Sequence, residues 1–143
     1  MDENDRQAAL NALPHGPEFR FVDEILEMEP GSSAKGSLTP AADAEYLRGH
    51  FPGAPILPGV LMIEAIAQLA GVVAQCDPEH ETLRNLRLTA VRGAKILGTV
   101  PPGEQLELSV EIAGRLGGLV QAKGFVEHQG SKIAEAQVTL SGD

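Results

Sequence analysis

GHFPGAPILPGVLMIEAIAQLAGVVA, residues 49–74, joins a proline-punctuated loop to an almost wholly apolar run. Pro52, Pro55 and Pro58 recur every third residue. Each fixes its own φ and pushes its predecessor away from helix, so the loop is expected to be stiff and extended. Pro58 suits the first turn of a helix, where a missing N–H costs nothing. A helix is therefore expected from Gly59 to Gln75, apolar on nearly every face and buried all round. Glu64 and Gln68 interrupt it. A core rejects unpaired charge, so Glu64 is either tolerated near an edge or held for a purpose.

The chain around this stretch has 143 residues, 43% of them hydrophobic, and a net charge of −9. That suggests one domain over residues 1–143 with a single core. It carries an N-terminal helix within 1–13 and the central helix within 58–76. The negative charge argues against general nucleic-acid binding and against docking on anionic lipid. Glu64 and Gln68 in mid-run argue against a membrane span. Cys76 is the one cysteine, so no internal disulfide forms, and it reads as a small buried hydrophobe. Without a CxxC or a Cys/His cluster, no zinc site is expected. The acidic start MDENDRQAAL lacks the pattern of a signal peptide, and a cytoplasmic location is the expectation.

Working outward, Glu3–Ala12 reads as a short amphipathic helix stopped by Pro14. Phe19–Met28 and Ser33–Leu38 read as strands about the Pro30-Gly31 turn. Ala41–Leu47 suggests a short helix. Beyond Asp77-Pro78, Leu86, Leu88 and Ala90 alternate with Arg87, Thr89 and Val91. Leu106, Leu108, Val110 and Ile112 alternate strictly with polar residues, as in a half-buried strand. Leu119–Glu127 and Lys132–Leu140 are two further strands, after turns at Gly117-Gly118 and Gln129-Gly130. One apolar helix followed by antiparallel strands calls for an α+β fold, a curved sheet wrapped around the helix. One sheet cannot cover the helix completely, so pairing of two chains is expected.

Four groups in the opening stretch carry chemistry. His50 begins the stiff loop and has the pKa range of a general base, although a lone loop histidine is usually solvated. Gln68 lies one turn beyond Glu64 and can orient its carboxyl, or be a simple i,i+4 pair. The helix start at Pro58-Gly59 has unpaired N–H groups able to hold a developing oxyanion. Glu64 follows Gly59 by five residues, about 7.5 Å along a helix axis. Base, oxyanion donor and acid together suit β-elimination of water from a 3-hydroxyacyl compound.

GHFPGAPILPGVLMIEAIAQLAG resembles the signature of the 3-hydroxyacyl-(acyl carrier protein) dehydratases of the FabZ type. LPHGPEFRFVDEILEMEPG, VPPGEQLELSVEI and KIAEAQVTL extend the resemblance from Leu13 to Leu140. It implies the hotdog fold and a dimer with active sites at its interface, in many members three dimers to a hexamer. It implies that His50 and Glu64 are catalytic and come from opposite subunits. Gly59 then binds the thioester carbonyl, Gln68 supports Glu64, and Phe51 and Pro58 adjoin the substrate. No cofactor or metal is implied. A glutamate at position 64 fits dehydration without the isomerase activity of relatives that carry aspartate there.

The chain also departs from that pattern. Gly16-Pro17 replaces an arginine and tyrosine after LPH, and His15 reads as structural. Arg87, Leu88 and Ile96 stand where members often place aromatic residues along the acyl tunnel. Arg84, Arg87, Arg92 and Lys95 form a basic segment with no acid between Thr82 and Gly103. It is either a solvated strand face or a docking patch for an acidic acyl carrier protein. A hotdog thioesterase and a non-catalytic acyl-binding or assembly subunit are the alternative readings.

Overall fold

The apolar run forms the expected helix but is not buried all round: Val60 is 73% exposed. In the computed structural model, which describes residues 1–48, 53 and 56–143, the central helix α3 spans Gly59–Gln75. Two shorter helices precede it, α1 (Glu3–Asn11) and α2 (Glu45–Arg48). The strands are β1 (Glu24–Glu29), β2 (Ser33–Leu38), β3 (Arg87–Ile96), β4 (Leu106–Leu116), β5 (Leu119–His128) and β6 (Ser131–Ser141). They form one antiparallel sheet in the order β1-β2-β4-β5-β6-β3. α3 packs on β2 through β6. A six-stranded antiparallel sheet around one long helix is the hotdog fold.

Alternation explains the sheet. Leu106, Leu108 and Val110 of β4 point at α3, as do Val120, Ala122 and Val126 of β5 and Ala134, Ala136 and Val138 of β6. From the helix side Met62, Ile66, Leu69 and Val73 are almost fully buried. Truncating such a side chain to alanine costs about 2–5 kcal/mol. The helix rides close to the sheet because β5 carries Gly124. A Cβ there would lie 2.7 Å from Ile66 Cγ2 and 2.8 Å from the Ser109 carbonyl oxygen. No helix of the described residues is long and apolar enough to cross a membrane.

Several boundaries differ from the sequence reading. Phe19–Met28 is not one strand: Pro17–Phe19 is a short 3-10 turn and β1 begins only at Glu24. Phe21 and Val22 are consecutive and both buried, a departure from simple strand alternation. Ala41–Ala44 is a turn, with the Ala44 N–H donating to the Ala41 carbonyl at 3.1 Å, and leaves α2 only four residues. β3 continues to Ile96, exposed along most of its length. β4 runs past Ile112 to Leu116 through an irregularity before Gly114. The expected stiffness at Pro52 and Pro55 lies outside the described residues.

Candidate active site

Glu64 sits on the second turn of α3. Its side chain is 20% exposed. It lines a cavity of about 410 Å³ together with Leu13, His15, Gln68, Leu86 and Leu140. The cavity is mainly apolar, with an acid, an amide and an imidazole on its wall. A larger hollow of about 820 Å³ lies on the sheet face turned away from α3. Its charged residues pair with each other, as in Lys123–Glu111 at 3.9 Å and Lys132–Glu135 at 3.1 Å. That hollow lacks the chemistry gathered at Glu64.

Gln68 is the best-fixed polar group of the site. It is 2% exposed. Its Oε1 accepts the Phe21 N–H at 2.8 Å, and its Nε2 donates to the Phe19 carbonyl at 2.9 Å. These two bonds leave no ambiguity about which end of the amide is which. The same Nε2 then donates to Glu64 Oε1 at 3.3 Å. Gln68 thus does more than the pairing expected of it. It substitutes for a strand partner along Phe19–Phe21 and ties that segment to the acid.

The chain before β1 brings in a residue that the sequence reading had made structural. His15 follows Pro14, and Gly16-Pro17 turns the backbone into the short 3-10 turn, with the Phe19 N–H on the Gly16 carbonyl at 3.0 Å. His15 Nε2 ends 3.5 Å from Glu64 Oε1, with the His15 side chain 28% exposed. The ring stacks on Phe19 at 6.2 Å between centroids. Phe19 meets Phe21 edge-on at 4.9 Å, and Phe21 meets Tyr46 at 5.5 Å. Burial raises the Tyr46 hydroxyl pKa, and nearby Asp23 adds to the rise. The LPH triplet in front of a Gly-Pro turn was the available sequence signal for His15. The proximity of Glu64 depends on the long-range Gln68 bonds and could not be read locally.

Pro58 and Gly59 begin α3, and no side chain caps its first N–H groups. Ile96, at the end of β3, lies over Gly59: a Cβ at Gly59 would come within 2.8 Å of Ile96 Cγ2. Only glycine fits there without moving Ile96. His50 and Phe51 lie outside the described residues. The four basic residues do not act as one cluster. Arg87 lines the Glu64 cavity and donates to the Asn85 carbonyl at 2.9 Å. Lys95 lines the outer hollow and lies 3.8 Å from Glu135. Arg84 and Arg92 are exposed. Burial raises the Cys76 thiol pKa, away from a reactive thiolate.

The site therefore holds one oxygen of a cavity-lining carboxyl by an amide N–H, with an imidazole nitrogen 3.5 Å from the same oxygen. Among the described residues no side chain caps the N–H groups that open the same helix five residues earlier. A family model described as a FabA-like domain matches residues 13–137. The chain is 36% identical over 137 residues to the 3-hydroxyacyl-(acyl-carrier-protein) dehydratase FabZ of Bacillus subtilis (strain 168), covering 96% of each. To the FabZ of Clostridium acetobutylicum it is 38% identical over 131 residues, covering 92% of each. Among solved structures, a chain of the dehydratase heterocomplex ApeI:P from Xenorhabdus doucetiae matches with a TM-score of 0.77 at 16% identity, covering 100% of this chain and 92% of that one. Zebra fish thioesterase superfamily member 2 matches with a TM-score of 0.74 at 13% identity, covering 100% of this chain and 99% of that one. At such identities the structural likenesses bear on the fold alone.

Proposed function

The chain belongs to the FabA-like family, and from that premise we propose that it is a 3-hydroxyacyl-(acyl carrier protein) dehydratase of fatty-acid biosynthesis. The observation that carries the reading is Glu64 itself. It is an acid in an apolar helix, lining the cavity, with Oε1 engaged by Gln68 and Oε2 without a partner among the described residues. In the dehydratase reading Glu64 is the group that gives the proton to the departing hydroxyl.

In this reading His50 removes the C2 proton of the (3R)-3-hydroxyacyl thioester. The electrons form the C2–C3 double bond, the C3–O bond breaks, and Glu64 gives its proton to the departing hydroxyl, which leaves as water. The proton taken by His50 returns to Glu64 through solvent, so the enzyme is restored. The Gly59 N–H steadies negative charge on the thioester carbonyl during the step. Phe51 and Pro58 adjoin the substrate. The acyl chain lies among the apolar residues of the Glu64 cavity.

An acyl carrier protein is the partner, consistent with the relatives' names. Exposed Arg84 and Arg92 offer it positive charge. A homodimer completes the site from a second chain. The free β3 edge supports this, with Val60 73% and Leu97 57% exposed beside it. Light scattering that gives one chain per particle at assay concentration would sink the dimer.

The test is to incubate the protein with a 3-hydroxyacyl thioester while following enoyl absorbance and free thiol together. Enoyl product without thiol is expected. Thiol release would make the chain a thioesterase, and neither product would leave an acyl-binding subunit. In the same assay Glu64→Gln should lower kcat about 10²–10⁴-fold with the fold intact.

A further inference from the structure

We infer that His15 is a positioning residue that fixes which oxygen of Glu64 carries the catalytic proton. The inference rests on the dehydratase reading. Two nitrogens converge on one atom: Gln68 Nε2 at 3.3 Å and His15 Nε2 at 3.5 Å, both from Glu64 Oε1. Glu64 Oε2 has no hydrogen bond or ion pair among the described residues.

The imidazole is arranged to donate rather than accept. Its Nδ1 is buried without a hydrogen-bond partner among the described residues. A buried N–H without an acceptor is rarer and costlier than an idle lone pair. The neutral ring therefore keeps its proton on Nε2, the nitrogen facing Glu64. A neutral carboxyl has one carbonyl oxygen and one O–H. Two donors at Oε1 hold that atom as the carbonyl. The proton is then left on Oε2, the oxygen without a partner among the described residues, for the departing hydroxyl.

The ring is held for this task. It stacks on Phe19, whose carbonyl is bonded by Gln68 Nε2, and the His15 carbonyl accepts from Arg20 Nη2 at 3.4 Å. One buried amide thus sets both the acid and the platform beneath the histidine. The His15 contact is long for a hydrogen bond, and contacts of this kind tighten when substrate fills a site.

The test compares His15→Leu and His15→Gln in the enoyl assay, with and without Glu64→Gln. A misoriented acid costs about tenfold to a hundredfold, so His15→Leu should lower kcat by that factor with KM and the thermal midpoint held. His15→Gln, whose amide can reach Oε1, should restore most of the rate. In the Glu64→Gln background His15→Leu should cost nothing further, because the group it acts through is gone. An unchanged kcat, a loss confined to KM, equal losses for Leu and Gln, or a full additional loss in the Glu64→Gln background overturns the inference. If His15→Leu does not fold, His15→Asn replaces it. Its amide is too short to reach Oε1, and a rate equal to that of His15→Gln overturns the inference. A wild-type chain that forms no enoyl product overturns the dehydratase reading, and this inference with it.

Discussion

The two ends of α3 are built for different ends. At the C-terminal end nearly every exposed carbonyl has been given a partner. Arg115 Nη1 donates to the Ala74 carbonyl at 2.8 Å, and the Gly31 N–H donates to the Val73 carbonyl at 3.0 Å. Gln75 locks the following segment by bonding both the N–H and the carbonyl of Leu83, at 2.9 and 2.7 Å. At the N-terminal end Pro58 supplies no side-chain cap, and Gly59 offers no side chain at all. A cap would add about 1 kcal/mol. Forgoing it leaves the Gly59 and Val60 N–H donors without a side-chain cap among the described residues, where a ligand can use them. The same helix is thus anchored at one end and left chemically open at the other.

Of changes at the two ends, the largest effect should come from closing the open one. Gly59→Ala is helpful for helix propensity but drives a Cβ to within 2.8 Å of Ile96 Cγ2. We expect kcat to fall about a hundredfold from a displaced helix start, with little change in the unfolding midpoint. Adding Ile96→Ala should recover most of the loss, since it removes the obstacle. If the double variant stays as slow as Gly59→Ala, the methyl group itself blocks the N–H groups, and Ile96 is a bystander.

Loosening the anchored end should do the opposite, lowering stability but sparing the chemistry. Arg115 is 7% exposed and also donates from Nη2 to the Glu81 carbonyl at 2.8 Å. Arg115→Met keeps most of the buried stem but removes both charge-assisted bonds. A loss of about 2 kcal/mol is expected in urea unfolding, at an unchanged kcat per folded molecule. A matching fall in kcat would mean that the two ends are coupled along the helix.

What the sequence made legible follows the same division. The bounds of α3 were readable because Pro58 and the apolar run are local signals, and the sheet because β4 alternates strictly. The segment Phe19–Asp23 was not readable as it folds. Its backbone is held by Gln68, 47 residues on in the case of Phe21, and no local pattern encodes such a bond. Glu64 was legible as a misplaced acid, and Gln68 as its neighbour. His15 was visible as a residue but not as a neighbour of Glu64, because that contact needs the Gly16-Pro17 turn and the long-range clamp together. β3 was cut short because an exposed edge strand has residues of both kinds on both faces.

The smallest effect should be a pH-dependent one at the anchored end, just past the last turn. Asp77 accepts the Glu79 N–H at 2.9 Å on Oδ1, and its Oδ2 lies 2.8 Å from His80 Nδ1 and 4.0 Å from Arg115 Nη1. The Glu79 N–H does most to hold its carboxyl below the usual range, with His80 and Arg115 adding to it and burial opposing. A carboxyl lowered in the folded state stabilises the fold above its unfolded pKa of about 3.9, and that contribution is lost as the pH falls through the folded value. Asp77→Asn should therefore be less stable than the wild type at neutral pH, and the gap should narrow steadily below about pH 4. Urea midpoints measured at several pH values check this. A gap that stays constant into acid would mean that Asp77 acts through its N–H bond geometry, which asparagine also offers, and not through its charge. Because Asp77 lies beyond the anchored end, turnover at neutral pH should not change, which separates it from any substitution at Gly59.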